Sequence, residues 1–311
     1  MSNWRNVLLG LLSAASLSVA VSAQEGAVQS SAVITVMPNG AARPSLSPKD
    51  FKINVNYKVA EATTIIPLQG QRAGLELMVL IDDAARSGLA NQIPDLKRFV
   101  QALPSGTAVG VAYMQNGRAV IVQNFTADQS LADNAFRMPQ GSPGANASPY
   151  FCLSDLAKHW PSNNPDVRRE VLMVTDGADA YGGVAFDPEN PYVLAAIADA
   201  QRARVIVHSI FYQDAGSGPV GRFNGQDYLL MVSRATGGQA YYQMSGSPVA
   251  FAPYLADLQI RLINQYELGF LAEGRGRSGL QALNVKIKVA NVKLDAPEKV
   301  LIGRVGEGLN R

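Results

Sequence analysis

The sequence predicts an α/β chain, with a mostly parallel sheet, helices on both faces and one antiparallel hairpin strand, set between two shorter β segments. Three observations carry this. Leu77-Met78-Val79-Leu80-Ile81 and Val171-Leu172-Met173-Val174 are continuous apolar runs, as strands buried on both faces require. Ile93, Leu96, Phe99, Val100 and Leu103 recur at helical spacing. Outside this block the period falls to two, as in Tyr266, Leu268 and Phe270, which marks strands with one face toward water. Strands alternating with helices between two purely β stretches imply a parallel sheet flanked by a separate β component.

The elements follow in order. Residues 1–23 read as an export signal: Arg5, an apolar stretch from Val7 to Ala20, then the small residues Val21-Ser22-Ala23. Cleavage after Ala23 would make the mature chain secreted or periplasmic. No later stretch approaches ~20 consecutive apolar residues, so no membrane insertion is expected after cleavage. Residues 24–72 form an N-terminal β segment, with one strand at Ala32–Val36 and one running from Phe51 to Val59, its apolar residues all on one face.

The α/β domain spans residues 73–265. Ala108–Tyr113 and Ala119–Val122 are strands joined by Asn116-Gly117, a strong hairpin signal. Helices are expected near Leu153–Trp160, Tyr192–Arg202, Tyr228–Ala235 and Pro253–Asn264, with strands at Val205–Tyr212 and Ala240–Tyr242. Residues 266–311 return to β. Each end segment is marginal for a core of its own, so the two are expected to pack together as one module into which the α/β domain is inserted.

Composition excludes several classes. Of 311 residues, 47% are hydrophobic and 17% charged, which favours packed globules over disorder. Lys+Arg 27 against Asp+Glu 25 leaves +2, no footprint for nucleic acid. The single cysteine, Cys152, lies in an apolar stretch and reads as a buried inert thiol. Gly274-Arg275-Gly276-Arg277-Ser278-Gly279 spells a dinucleotide fingerprint, but a strand follows where the motif needs a helix, so a hairpin connection is expected. His208 sits inside a strand and His159 near a helix end, where core and surface roles suffice. No nucleophile elbow, H-E-x-x-H or P-loop occurs, so the chain is expected not to be an enzyme.

Two acidic strand ends remain. Asp82 and Asp83 follow Leu77–Ile81, and Asp176 follows the other run in Val174-Thr175-Asp176-Gly177-Ala178-Asp179. Open parallel sheets bind ligands beyond the carboxyl ends of their strands. Carboxylates placed there can share a hard cation such as Mg²⁺. The same residues also suit a helix cap at Asp82 and a turn at Asp176-Gly177.

In order and spacing these segments resemble a von Willebrand factor A domain, more narrowly the related proteins exported by bacteria. Leu77–Asp82 resembles that family's first strand and leading aspartate, Asn91–Pro104 its first long helix, and Val171–Gly177 its fourth strand with Thr-Asp-Gly. Ala32–Val36 with Leu46–Val55 resembles the leader before such domains, and Tyr266–Phe270 the strand after them.

The resemblance implies a metal-ion-dependent adhesion site in which Asp82 and Asp176 supply the carboxylates. The motif's serine positions hold Ala84 and Arg86 counted from Asp82, or Ala85 and Ser87 counted from Asp83; its threonine falls near Ala147 or Ser148. Arg86 opposes a cation and can pair with Asp82 or Asp176 instead. The expectation is a degenerate site that holds Mg²⁺ or Mn²⁺ weakly or not at all, unless Asp83, Ser87 or Asp179 compensates.

The function expected is a non-enzymatic, exported adhesion or scaffold module that binds an unidentified protein. Its face comprises loops 82–92, 139–150 and 176–191, with Asp83, Arg86, Ser87, Ser148 and Asp179 upon it. The alternatives are a metal-assisted envelope hydrolase built on Asp82, Asp83 and Asp176, or a structural part of an envelope assembly.

Overall fold

The computed structural model describes residues 26–40, 43–104, 106–142, 144–164, 166–179, 181, 185–213, 219–243, 246–274 and 278–303; the expected leader at 1–23 lies outside them. In chain order the first strands are β1 (Ala27–Pro38), β2 (Phe51–Val55), β3 (Lys58–Pro67), β4 (Leu75–Asp82), β5 (Thr107–Gln115), β6 (Arg118–Thr126) and β7 (Arg168–Thr175). There follow β8 (Val205–Phe211), β9 (Ala240–Tyr241), β10 (Gln265–Glu273), β11 (Gly279–Ile287), β12 (Val292–Asp295) and β13 (Lys299–Ile302). The helices are α1 (Ile93–Gln101), α2 (Gln129–Ala135), α3 (Pro149–Lys158), α4 (Pro191–Arg202), α5 (Pro219–Thr236) and α6 (Ala252–Ile263).

The central sheet runs β6-β5-β4-β7-β8-β9. Its strands are parallel except β6, which returns antiparallel beside β5. Asn116 and Gly117 make that return with φ of 50° and 75°, the paired left-handed residues of a type I′ turn. Every residue of β4 is buried, because helices cover both faces. Leu77, Val79 and Ile81 pack with Leu96, Phe99 and Leu258 on one side. Met78 and Leu80 pack with Leu153, Ala196 and Val232 on the other. This is the Rossmann-like arrangement expected of the α/β part. Strand order reverses between β4 and β7, so a crevice opens at their carboxyl ends.

The second sheet runs β12-β1-β10-β3-β2-β11-β13 and is antiparallel throughout. Strands from before and after the α/β domain interleave in it: β10 lies between β1 and β3, pairing Ala27 with Glu273 and Tyr266 with Pro67. Its core gathers Ile34, Ile53, Leu268, Phe270 and Ile302.

Two expectations are corrected here. The stretch Phe51–Val59 is not one strand. Asn56 (φ 52°) and Tyr57 (φ 67°) form a type I′ turn, and Val55 pairs with Lys58. Reversal at the turn takes Tyr57 and Val59 off the core face, leaving them 95% and 80% exposed. Nor is Gly274–Gly279 a hairpin connection. It joins β10 to β11, which β3 and β2 separate, and Arg275–Arg277 lie outside the described residues.

His208 is a satisfied core histidine: its Nε2 lies 2.8 Å from Glu170 Oε2, and its Nδ1 accepts the Gln239 N–H at 3.1 Å. Among the described residues no helix is long and apolar enough to cross a membrane.

Candidate functional site

At the crevice, β4 ends on Asp82 and β7 on Thr175. The Asp82 carboxylate is fully buried. Its Oδ2 accepts Thr175 Oγ1–H at 2.6 Å and Asn146 Nδ2–H at 2.8 Å, and its Oδ1 accepts the Ala84 N–H at 2.9 Å. Thr175 Oγ1 in turn accepts the Gly177 N–H at 3.2 Å, and the Tyr150 hydroxyl donates to Gly177 O at 2.6 Å. Burial pushes the Tyr150 phenol well above its ordinary pKa, and Asp176 and Asp179 add to the shift. Asp176 closes its own turn by accepting the Ala178 N–H at 2.9 Å.

The loop before α3 brings Asn146 into this network. Asn146 O accepts the Gly117 N–H at 2.9 Å and the Cys152 thiol at 3.5 Å. Burial, with the charge of Asp82 added, pushes that thiol far above its usual pKa, as an inert core cysteine requires. Helix α5 closes the other side. A Cβ on Gly225 would lie 1.9 Å from Asp176 O, so only glycine allows this approach of helix to loop.

Asp83 has a different task. Arg137 grips it with both nitrogens, at 2.7 and 2.9 Å, while Gln115 Nε2 donates at 2.6 Å and the Gln140 N–H at 3.0 Å. Burial alone would raise the carboxyl pKa, but these donors outweigh it and hold the group below its usual range. The guanidinium also lies 3.8 Å from the Tyr113 ring centroid. Asp83 therefore anchors the loop after α2.

Asp83, Ser148 and Asp179, expected on a contact face, are buried and hold loops together. Ser148 caps α3 by accepting the Tyr150 N–H, and Asp179 accepts Asn190 Nδ2–H at 2.9 Å. Arg86 and Ser87 are exposed. Arg86 donates its backbone N–H to Gln213 O at 3.1 Å, and its charge offsets part of the burial that raises the Tyr212 pKa.

The sequence reading missed Asn146 and Arg137, which lie in loops distant from the aspartates they serve. It also missed the aromatic rim. Tyr181, Phe186 and Tyr192 are 57%, 39% and 37% exposed. Phe151 lies between Tyr181 and Tyr192 at centroid distances of 5.2 and 5.1 Å, and Phe186 rests 5.0 Å from Tyr228.

A divalent cation needs lone pairs, preferably from oxygen. Around Asp82, Ala84 and Asn146 present N–H hydrogens, and Thr175 spends its hydroxyl hydrogen on the carboxylate. Among the described residues no three His, Cys, Asp or Glu side chains converge as a metal cluster. Among the described residues the arrangement is that of a hydrogen-bonded carboxylate.

No family model and no curated protein matches the chain. Solved structures do. BatB from Bacteroides thetaiotaomicron is 14% identical, with 61% of this chain and 97% of that one covered and a TM-score of 0.42. A von Willebrand factor type A protein from Catenulispora acidiphila is 11% identical over 92% of this chain and 76% of that one, TM-score 0.45. The pilus adhesin SpaC from Lactobacillus rhamnosus GG is 10% identical over 82% of this chain and 47% of that one, TM-score 0.45. The chain is thus similar in fold to von Willebrand factor A domains.

Proposed function

We propose that this chain is a non-enzymatic, exported protein-binding module whose contact surface is the loop end of the α/β sheet, and that it works without a resident divalent cation. The observation that carries the reading is the aromatic rim. Tyr181, Phe186 and Tyr192 stand partly in water beside a crevice whose carboxylates are already hydrogen-bonded. Exposed aromatic groups on a rigid frame are the commonest anchors of protein interfaces. Residues 1–23 would deliver the chain to the periplasm or the medium.

The test is capture from an envelope extract by wild type and by Tyr181→Ala/Phe186→Ala. Both side chains are partly solvated and each rests on another ring, so the double variant should fold with a loss of about 1 kcal/mol per site. A partner retained by wild type and lost by the variant supports the reading; turnover by the purified protein across a hydrolase panel sinks it.

The metal-free reading has its own test, a melting curve in EDTA and in millimolar Mg²⁺ or Mn²⁺. We expect coincident curves. Ligand at about a hundredfold over its Kd would stabilise the fold by ~2.7 kcal/mol and raise Tm by ~5–10 °C. A rise of that size refutes a metal-free site.

A further inference from the structure

A cavity of about 550 Å³ opens at the end of the molecule away from the aromatic rim, where β7 and β8 begin and the antiparallel sheet meets the α/β domain. Pockets of this volume at a junction between two cores are common sites for small ligands. The lining is chemically lopsided. Six basic residues border it, Arg72, Arg168, Arg169, Arg202, Arg204 and Lys299, against the acids Asp166 and Glu267. The whole chain has 27 basic and 25 acidic residues, so this excess is a local concentration. Between the charges the wall is hydrocarbon, from Val33 and Leu68 on one side to Val205, Ile206 and Pro297 on the other.

The basic groups divide by role. Arg168 is buried and structural, donating to Leu68 O at 3.2 Å and Leu262 O at 3.1 Å across the junction. Arg202 engages Asp199, and Arg169 donates to Ser162 O with its guanidinium 5.7 Å from the Trp160 ring centroid, so both charges are directed to partners outside this cleft. The side chains of Arg72 and Lys299 are exposed and make no hydrogen bond or ion pair among the described residues. They approach the cavity from different parts of the chain, Arg72 from the turn before β4 and Lys299 from β13. Two exposed cations bordering one cleft both favour an anion within it. A partly enclosed cleft strengthens the pull on such an anion.

We propose that this cleft is a ligand site for an amphiphilic anion, a carboxylate or phosphate carried on a short hydrocarbon body. The head is held by Arg72 and Lys299, and the body lies on Val33, Leu68 and Val205. The site is separate from the loop end of the sheet and does not depend on the protein-binding role of that end.

Titration calorimetry on the full mature chain at low salt tests it, with octyl phosphate and octanoate as probes and inorganic phosphate and octanol as controls. One site is expected for at least one amphiphile, with Kd below about 100 µM. Phosphate alone and octanol alone should each bind at least about tenfold more weakly. Arg72→Glu and Lys299→Glu, singly and combined, should weaken the amphiphile by about tenfold or more without moving the melting curve. Both positions are solvated, so the variants should fold. The proposal is overturned by no binding of either amphiphile up to about 1 mM, by inorganic phosphate binding as tightly as octyl phosphate, or by charge reversal that leaves the affinity unchanged.

Discussion

Asp82→Ala is expected to lower stability by about 3–5 kcal/mol, the range for removing one member of a buried charged, hydrogen-bonded group. The carboxylate has no solvent exposure and takes donors from three separate segments, Ala84, Asn146 and Thr175. Alanine leaves all three orphaned at the buried carboxyl end of β4, and a buried unsatisfied donor costs about 1–3 kcal/mol each before relaxation. In a chain of this size the loss should appear as a fall in Tm of about 10 °C. Asp82→Asn should fall between, since its one oxygen still accepts while its amide faces other donors. Thermal and urea melts of the three proteins decide it. An Asp82→Ala protein with wild-type Tm would mean that water replaces the carboxylate at no cost.

Arg137→Ala should cost about 1–3 kcal/mol at neutral pH, less than a fully buried pair because the Arg137 side chain is 37% exposed and Gln115 and Gln140 still donate to Asp83. Its pH dependence is diagnostic. In wild type the folded pKa of Asp83 is depressed, so the carboxylate adds stability above its unfolded pKa of about 3.9. That contribution is lost as pH falls through the folded value. Without the guanidinium two of the influences that lower it are gone, so the folded pKa moves up and the ionised carboxylate adds less stability. The gap between the two proteins should therefore be widest near pH 7 and narrow below about pH 4. A gap that stays constant over that range would assign the loss to the guanidinium's packing on Tyr113 rather than to its charge.

Much of the architecture was legible because buried parallel strands leave uninterrupted apolar runs. Leu77–Ile81, Val171–Val174 and Val205–Phe211 have no other comfortable home than a sheet covered on both faces. Asn116-Gly117 marked its own turn. The Asn56-Tyr57 turn did not, because tyrosine rarely takes positive φ and the alternation of Phe51, Ile53 and Val55 runs on past it into Tyr57 and Val59. Short elements such as α2, β12 and β13 left no period long enough to read.

The site was legible only in its strand ends. Asp82, Thr175 and Asp176 sit where apolar runs stop, so sequence places them at the crevice. Asn146 was hidden by chemistry. A search near Ala147 and Ser148 for a hydroxyl passes over the amide one residue earlier that bonds Asp82. Arg137 was hidden by distance, since nothing local in a loop arginine names an aspartate more than fifty positions away.

The interleaving of β1 between β10 and β12 has a consequence for the order in which the chain can fold. Ala27 must wait for Glu273, and Val36 for Leu294, before either finds its partner. The α/β domain has nearly all its strand partners close at hand in the sequence and can close first. Until the last segment arrives, the backbone of β1 has neither neighbour. An unpaired edge of this kind is a template for other chains as well as for its own. Non-local pairing also makes closure slow, because the entropy of bringing distant segments together is lost before their contacts form. Closure of β1 against β10 and β12 is thus expected late in folding, and the interval before it is when the chain should be most exposed to aggregation.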